Sequence, residues 1–204
     1  MTVSQALEKL SAYEKLMFTY NHASGLMYYD GATVAPRGSA DLRADTLGEL
    51  ARLSYALTTA PETVEMLRTL VEARDRLDPV TARKVSELWR DYEMTHRVPE
   101  EEFVAYQQLT SKADAVWHEA KERSDFALFE PYLQQVLDGS LRLAEYMQPD
   151  KDPYDAQLDR FERGLTRETC DAFFAALRQE LVPLIDQVKA HADRVDDAPL
   201  HRSF

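Results

Sequence analysis

The chain has 204 residues, 45% of them hydrophobic and 29% charged, which is enough apolar material for one core without a disulfide or metal staple. Lys and Arg number 24 against 36 Asp and Glu, and the resulting charge of −12 repels phosphate backbones and anionic lipid, so nucleic acid and membrane surfaces are disfavoured partners. A single cysteine, Cys170, excludes an intrachain disulfide, and neither an apolar signal run nor a membrane-spanning stretch is found, which makes the cytoplasm the expected location.

Apolar residues recur at steps of three and four throughout, the signature of helices, and no window alternates with period two. The first helix places Leu7, Leu10, Tyr13, Met17 and Tyr20 on one face and runs into Gly25. A loop is expected from Asp30 to Ser39, where Gly31, Pro36 and Gly38 interrupt regular structure. The second helix carries Leu47, Leu50, Leu53 and Leu57; Thr59 with Glu62 reads as a capping box for a third, with Val64, Leu67, Leu70 and Val71 inward. Asp78-Pro79 reads as an N-cap followed by proline at the first helical position, opening a fourth with Val85, Leu88, Trp89 and Tyr92.

Pro99 opens the fifth, where Glu100, Glu101 and Glu102 complement the helix dipole, and Phe103, Tyr106, Ala113, Trp117 and Ala120 form its stripe. Asp125 caps a sixth, with Phe129, Leu133, Val136, Leu137, Ala144 and Met147. Pro149 and Pro153 punctuate a short connection. The last long helix starts near Thr166 and carries Cys170, Phe173, Phe174, Leu177, Leu181 and Leu184, with Pro183 expected to kink it. The expected fold is therefore all-α, a single lobe of long antiparallel helices over residues 1–204.

Four patterns invite a chemical reading. His118-Glu119 begins like the zinc-protease motif H-E-x-x-H, but Glu122 stands where the second imidazole is required, so the pair reads as an exposed helix face. Glu93 and His96 have the Glu-x-x-His spacing of di-iron bundles, which need two such motifs and two further glutamates. Cys170 sits in the first turns of a helix, where a thiolate is favoured, yet also on an apolar stripe where a thiol simply packs. Asp150, Asp152 and Asp155 resemble the start of a calcium loop without its glycine or distal glutamate. From the residues alone, no catalytic, cofactor-binding or metal-binding position is assigned.

Three longer runs carry a resemblance. Tyr29-Asp30-Gly31-Ala32-Thr33-Val34-Ala35-Pro36-Arg37-Gly38, followed by Arg43 and a Leu-rich helix, is similar to W-D-Q-x-T-x-M-P-x-G; Asp30, Thr33, Pro36, Gly38 and Arg43 match, and Tyr29, Gly31 and Ala35 depart. Trp117-His118-Glu119-Ala120-Lys121 and then Asp125-Phe126 through Pro131-Tyr132-Leu133 resemble W-x-E-A-R and D-F-x-x-F-x-P-x-L, with Lys121 in place of Arg. Pro153-Tyr154-Asp155-Ala156 through Gly164-Leu165-Thr166 resembles P-Y-D-A-L-L-D-x-Y-E-x-G-M-T. In this order the runs resemble the N-terminal portion of the thermostable carboxypeptidase family, zinc metallocarboxypeptidases with an H-E-x-x-H helix.

The resemblance implies a parent enzyme that releases C-terminal amino acids from peptides, with zinc as its metal, peptides as its substrates and a homodimer as its assembly. It also implies that the zinc ligands and the substrate-carboxylate-binding residues lie beyond Phe204, that residues 1–204 form one wall of a substrate groove, and that this chain alone is inactive. The stretch Leu200-His201-Arg202-Ser203-Phe204 reads as the middle of a continuing segment. The alternative is a self-standing, non-catalytic helical interaction module, a truncated paralogue; the coding sequence after Phe204 discriminates the two.

Overall fold

The computed structural model describes residues 1–194, 196 and 198–201. Among them no strand occurs, and eight α-helices account for the fold: α1 Val3–Thr33, α2 Ala40–Thr59, α3 Pro61–Glu72, α4 Pro79–Thr95, α5 Glu100–Arg123, α6 Phe126–Met147, α7 Pro153–Phe161 and α8 Arg167–Lys189. The all-α expectation therefore holds. None of the described helices is long and apolar enough to cross a membrane. The chain divides into two compact units, Met1–Pro153 and Tyr154–Phe204.

Most boundaries follow from local chemistry. Asp78 accepts hydrogen bonds from the N–H groups of Val80 and Thr81, both at 3.1 Å, satisfying donors that the first turn of α4 leaves open. The Thr81 side chain, and then the Thr81 and Val80 N–H groups, hold its carboxyl below the usual carboxylate range. Thr166 accepts from the Thr169 N–H at the start of α8. Ser124 ends α5 in the left-handed conformation (φ 51°), with its N–H returned to Ala120 and Lys121 carbonyls.

Several expectations are corrected. α1 does not break at Gly25 but continues through Gly31 to Thr33, so the connection to α2 is much shorter than Asp30–Ser39. A lone glycine costs a helix only about 1 kcal/mol, too little to end it by itself. Thr59 and Glu62 form no capping box: Pro61 takes the first helical position, forces Ala60 into an extended conformation (ψ 135°), and leaves Thr59 as the last residue of α2. Asp125 stands at the N-cap of α6 but its side chain makes no capping bond. Pro153 does not punctuate a loop; it opens α7, as Pro79 opens α4. Pro183 lies inside α8, where the sequence places it.

Within residues 1–153 there are two buried clusters. Ala6, Leu10 and Tyr13 of α1 meet Met66, Leu67 and Leu70 of α3 and Val85 of α4, with Leu88, Trp89 and Tyr92 packed against them. The Tyr13 hydroxyl lies 3.4 Å from Thr58 Oγ1, and burial raises its pKa above the usual value of 10.0. The second cluster joins Val98 to Leu143 and Met147 of α6, with Phe103 and Tyr106 of α5 alongside. Helix α5 is pressed tightly on both sides. A Cβ on Gly48 of α2 would stand 2.6 Å from Gln108, and one on Gly139 of α6 would stand 2.7 Å from the Tyr106 ring.

The α8 stripe is not buried. Phe173, Phe174, Leu181 and Leu184 are all exposed, and no residue of this helix is buried.

Candidate functional site

The Asp30–Gly38 run builds a reversal. The Asp30 carbonyl accepts the N–H groups of Val34 at 3.0 Å and Ala35 at 2.9 Å, closing α1. The Thr33 hydroxyl donates back to the Tyr29 carbonyl, and Ser39 Oγ donates to the Pro36 carbonyl at 2.7 Å. Pro36 cannot extend a helix from the preceding turn, so the chain doubles back into α2. Outside this turn the Arg37 guanidinium pairs with Glu122 near the end of α5, fastening the reversal to a third helix.

Between α1, α2 and α5 lies a cleft of about 620 Å³, within the range of small-ligand sites. Its α1 wall is Asn21, Ser24, Tyr28 and Gly31, residues three or four apart and therefore on one helical face. Its α2 wall is Arg43, Leu47, Ala51 and Ser54, and its α5 wall includes Gln107, Thr110, Ser111 and Asp114. Arg43 donates from Nη1 to Ser39 Oγ at 3.0 Å and forms no ion pair among the described residues. It lies across Gly31, where a Cβ would stand 2.7 Å from Nε. Sequence reasoning singled out Gly31 and Arg43 but not the cleft, although the polar residues at 21, 24, 28, 107 and 111 recur at helical spacing.

The decoy residues are separated and engaged elsewhere. His118 Nε2 lies 3.9 Å from Asp114, Glu119 pairs with Arg123 at 2.6 Å, and Glu122 pairs with Arg37. His96 stacks on Tyr92, with Nδ1 2.8 Å from the Tyr92 carbonyl, so it does not project towards Glu93 as a ligand pair would. Cys170 is half-buried at the start of α8. Asp155 accepts the Arg167 N–H at 2.7 Å. Buried Asp159 accepts the Gly164 N–H at 2.8 Å, and Gly164 has φ +83°, which only glycine adopts readily. The Asp-x-x-x-x-Gly spacing of the third run is thus a clasp that turns α7 into α8. Among the described residues no three His, Cys, Asp or Glu side chains converge to hold a metal ion, so they do not fit a zinc site by themselves.

An all-helical architecture with these three motif runs defines a class of metallocarboxypeptidase. The family model of the carboxypeptidase Taq (M32) metallopeptidases matches residues 9–204, and the chain belongs to that family. It is 34% identical over 203 residues to carboxypeptidase 1 of Bacillus subtilis (strain 168), covering 96% of this chain and 40% of that protein. The crystal structure of BsuCP superposes with a TM-score of 0.85 at 35% identity, over 92% of this chain and 37% of that one. The M32 carboxypeptidase of Deinococcus radiodurans R1 gives a TM-score of 0.73 at 31% identity, over 91% of this chain and 37% of that one. The chain spans about 40% of the length of the curated relatives it matches.

Proposed function

We propose that residues 1–204 are the N-terminal lobe of a zinc-dependent, cytoplasmic metallocarboxypeptidase that releases C-terminal amino acids from peptides. In this reading the lobe is a wall of the substrate groove, and the zinc ligands and general base come from outside these residues. The observation that carries it is the family match from residue 9 to residue 204 by a chain spanning about 40% of its relatives. Zinc-dependent hydrolysis needs three protein ligands and an open position for water, and the described residues supply no such set. What the lobe contributes is shape: a cleft walled by hydroxyls, amides, the Arg43 guanidinium and the Asp114 carboxylate, with Leu47, Ala51 and Phe103 between them.

The test is to incubate the 204-residue chain with zinc or cobalt and a blocked dipeptide and follow release of the C-terminal amino acid. No release is expected until the portion of Bacillus subtilis carboxypeptidase 1 that this chain does not span is added in trans. Turnover by the chain alone, abolished by chelator and restored by metal, would overturn the proposal. A second reading, a non-catalytic interaction module, draws support from the exposed apolar face of α8. It would be favoured if the added portion neither bound nor gained activity.

A further inference from the structure

Helix α8 carries its apolar residues in a strict rhythm. Cys170, Phe174, Leu177, Leu181, Leu184 and Val188 follow one another at steps of four, three, four, three and four. That spacing averages about 3.5 residues, the repeat at which one helix presents a continuous seam to another. The seam is open: Phe174, Leu181, Leu184 and Val188 are exposed, and Cys170 and Leu177 are half-buried. With Phe173 and Ile185 on its flanks, it leaves on the order of 600 Å² of apolar surface in water, the upper end for the largest patch on a monomer.

A seam of this geometry specifies its partner. Knobs at a 3.5-residue repeat fit the holes of a second helix crossing at about 20°, and fit neither a strand nor an irregular surface. Pro183 is not a seam residue, so the backbone bond it removes costs no knob. Arg178 and Glu180 border the middle of the seam on opposite sides, which calls for an acidic residue on one flank of the partner and a basic one on the other. The chain spans about 40% of the length of its curated relatives, so the larger part of such a protein is available to supply that helix.

We propose that the seam of α8 docks an amphipathic α-helix belonging to the portion of an M32 carboxypeptidase that this chain does not span. The choice of partner rests on the N-terminal-lobe reading above; the choice of a helix rests on the spacing.

The experiment joins residues 1–204 to the portion of Bacillus subtilis carboxypeptidase 1 that this chain does not span, as one continuous chimeric chain, and follows amide hydrogen exchange by mass spectrometry. Exchange over α8 should be about 100-fold slower in the chimera than in the 204-residue chain. Two neighbouring residues then test the seam. Leu181 and Val182 are both apolar and are 41% and 51% exposed, but they point about 100° apart round the helix. In the chimera Leu181→Glu should remove about tenfold or more of the protection, and Val182→Glu less than about twofold. Protection over α1 to α6 shows that each variant has folded, and Leu181→Ala carries the test where Leu181→Glu does not fold. Exchange over α8 as fast in the chimera as in the chain alone, or equal losses in the two variants, would overturn the proposal. So would protection in the 204-residue chain that rises with its concentration, which would give the face to a second copy. A chimera that hydrolyses peptides with α8 unprotected sinks this inference alone. Protection of α8 without turnover sinks only the peptidase reading.

Discussion

Replacing Gly25 and Gly139 by alanine makes the same chemical change in two helices, and the surroundings decide the sign. In each case the helix gains about 1 kcal/mol, because alanine restricts the unfolded chain and shields the backbone. At Gly25, exposed in α1, a Cβ meets nothing within 4 Å, so the gain stands. At Gly139, buried in α6, the Cβ would sit 2.7 and 2.9 Å from two carbons of the Tyr106 ring. Tyr106 packs against the second buried cluster, so its ring cannot swing away without disturbing Val98, Leu143 and Met147. Overpacking of that kind costs about 1–3 kcal/mol, which equals or exceeds the helix gain. Gly25→Ala should therefore raise Tm by about 2–4 °C, while Gly139→Ala lowers it or leaves it unchanged. Differential scanning calorimetry of both variants, with Tyr106→Ala and the double variant, closes a mutant cycle. In the Tyr106→Ala background the clash is gone and Gly139→Ala should stabilise. A Gly139→Ala protein more stable than wild type would refute the reasoning, as would a cycle with no coupling.

Three further outcomes are expected. Leu70, fully buried between α1, α3 and α4, should cost about 2–5 kcal/mol as Leu70→Ala, measured by urea unfolding. The double replacement His118→Ala, Glu122→Ala should move Tm by no more than about 2 °C, since both residues are exposed surface partners; a larger loss would show that the Arg37–Glu122 pair does more than fasten a turn. Tyr13 has its pKa raised by burial, so its neutral form is the one the fold favours. That stability is fully present below the ordinary tyrosine pKa and is lost as pH rises through the folded value. Urea midpoints should fall above about pH 10, less steeply in Tyr13→Phe.

The helices were legible wherever one residue dictates local geometry. Asp78-Pro79, Pro99 and Thr166 act through their own backbone or side chain, and each sits at the expected boundary. Thr59 and Glu62 misled because a proline between them outranks a capping side chain. Gly25 misled because a single glycine costs a helix too little to end it. The third run was readable as a motif but not as a clasp, since the Asp159–Gly164 bond and the positive φ of Gly164 are properties of the folded turn. The cleft escaped for a related reason. Arg43 and Gly31 lie 12 positions apart, and only the reversal at Pro36 brings them together. Of the terminal stretch, Leu200 is exposed, and Arg202 to Phe204 lie outside the described residues.

The burial pattern along α1 has a mechanical consequence. All of its buried residues, Ala6, Leu10 and Tyr13, fall in the first third, and none follows among the remaining 20 positions to Thr33. Helix α5, by contrast, is clamped at the glycine contacts of Gly48 and Gly139 along its flanks. The α1 and α5 walls of the cleft therefore differ in how they are anchored: α1 is rooted in the core at its N-terminal end and tied at its tip through the reversal and Arg37. Amide hydrogen exchange in this chain should accordingly be faster over residues 14–33 than along the middle of α5.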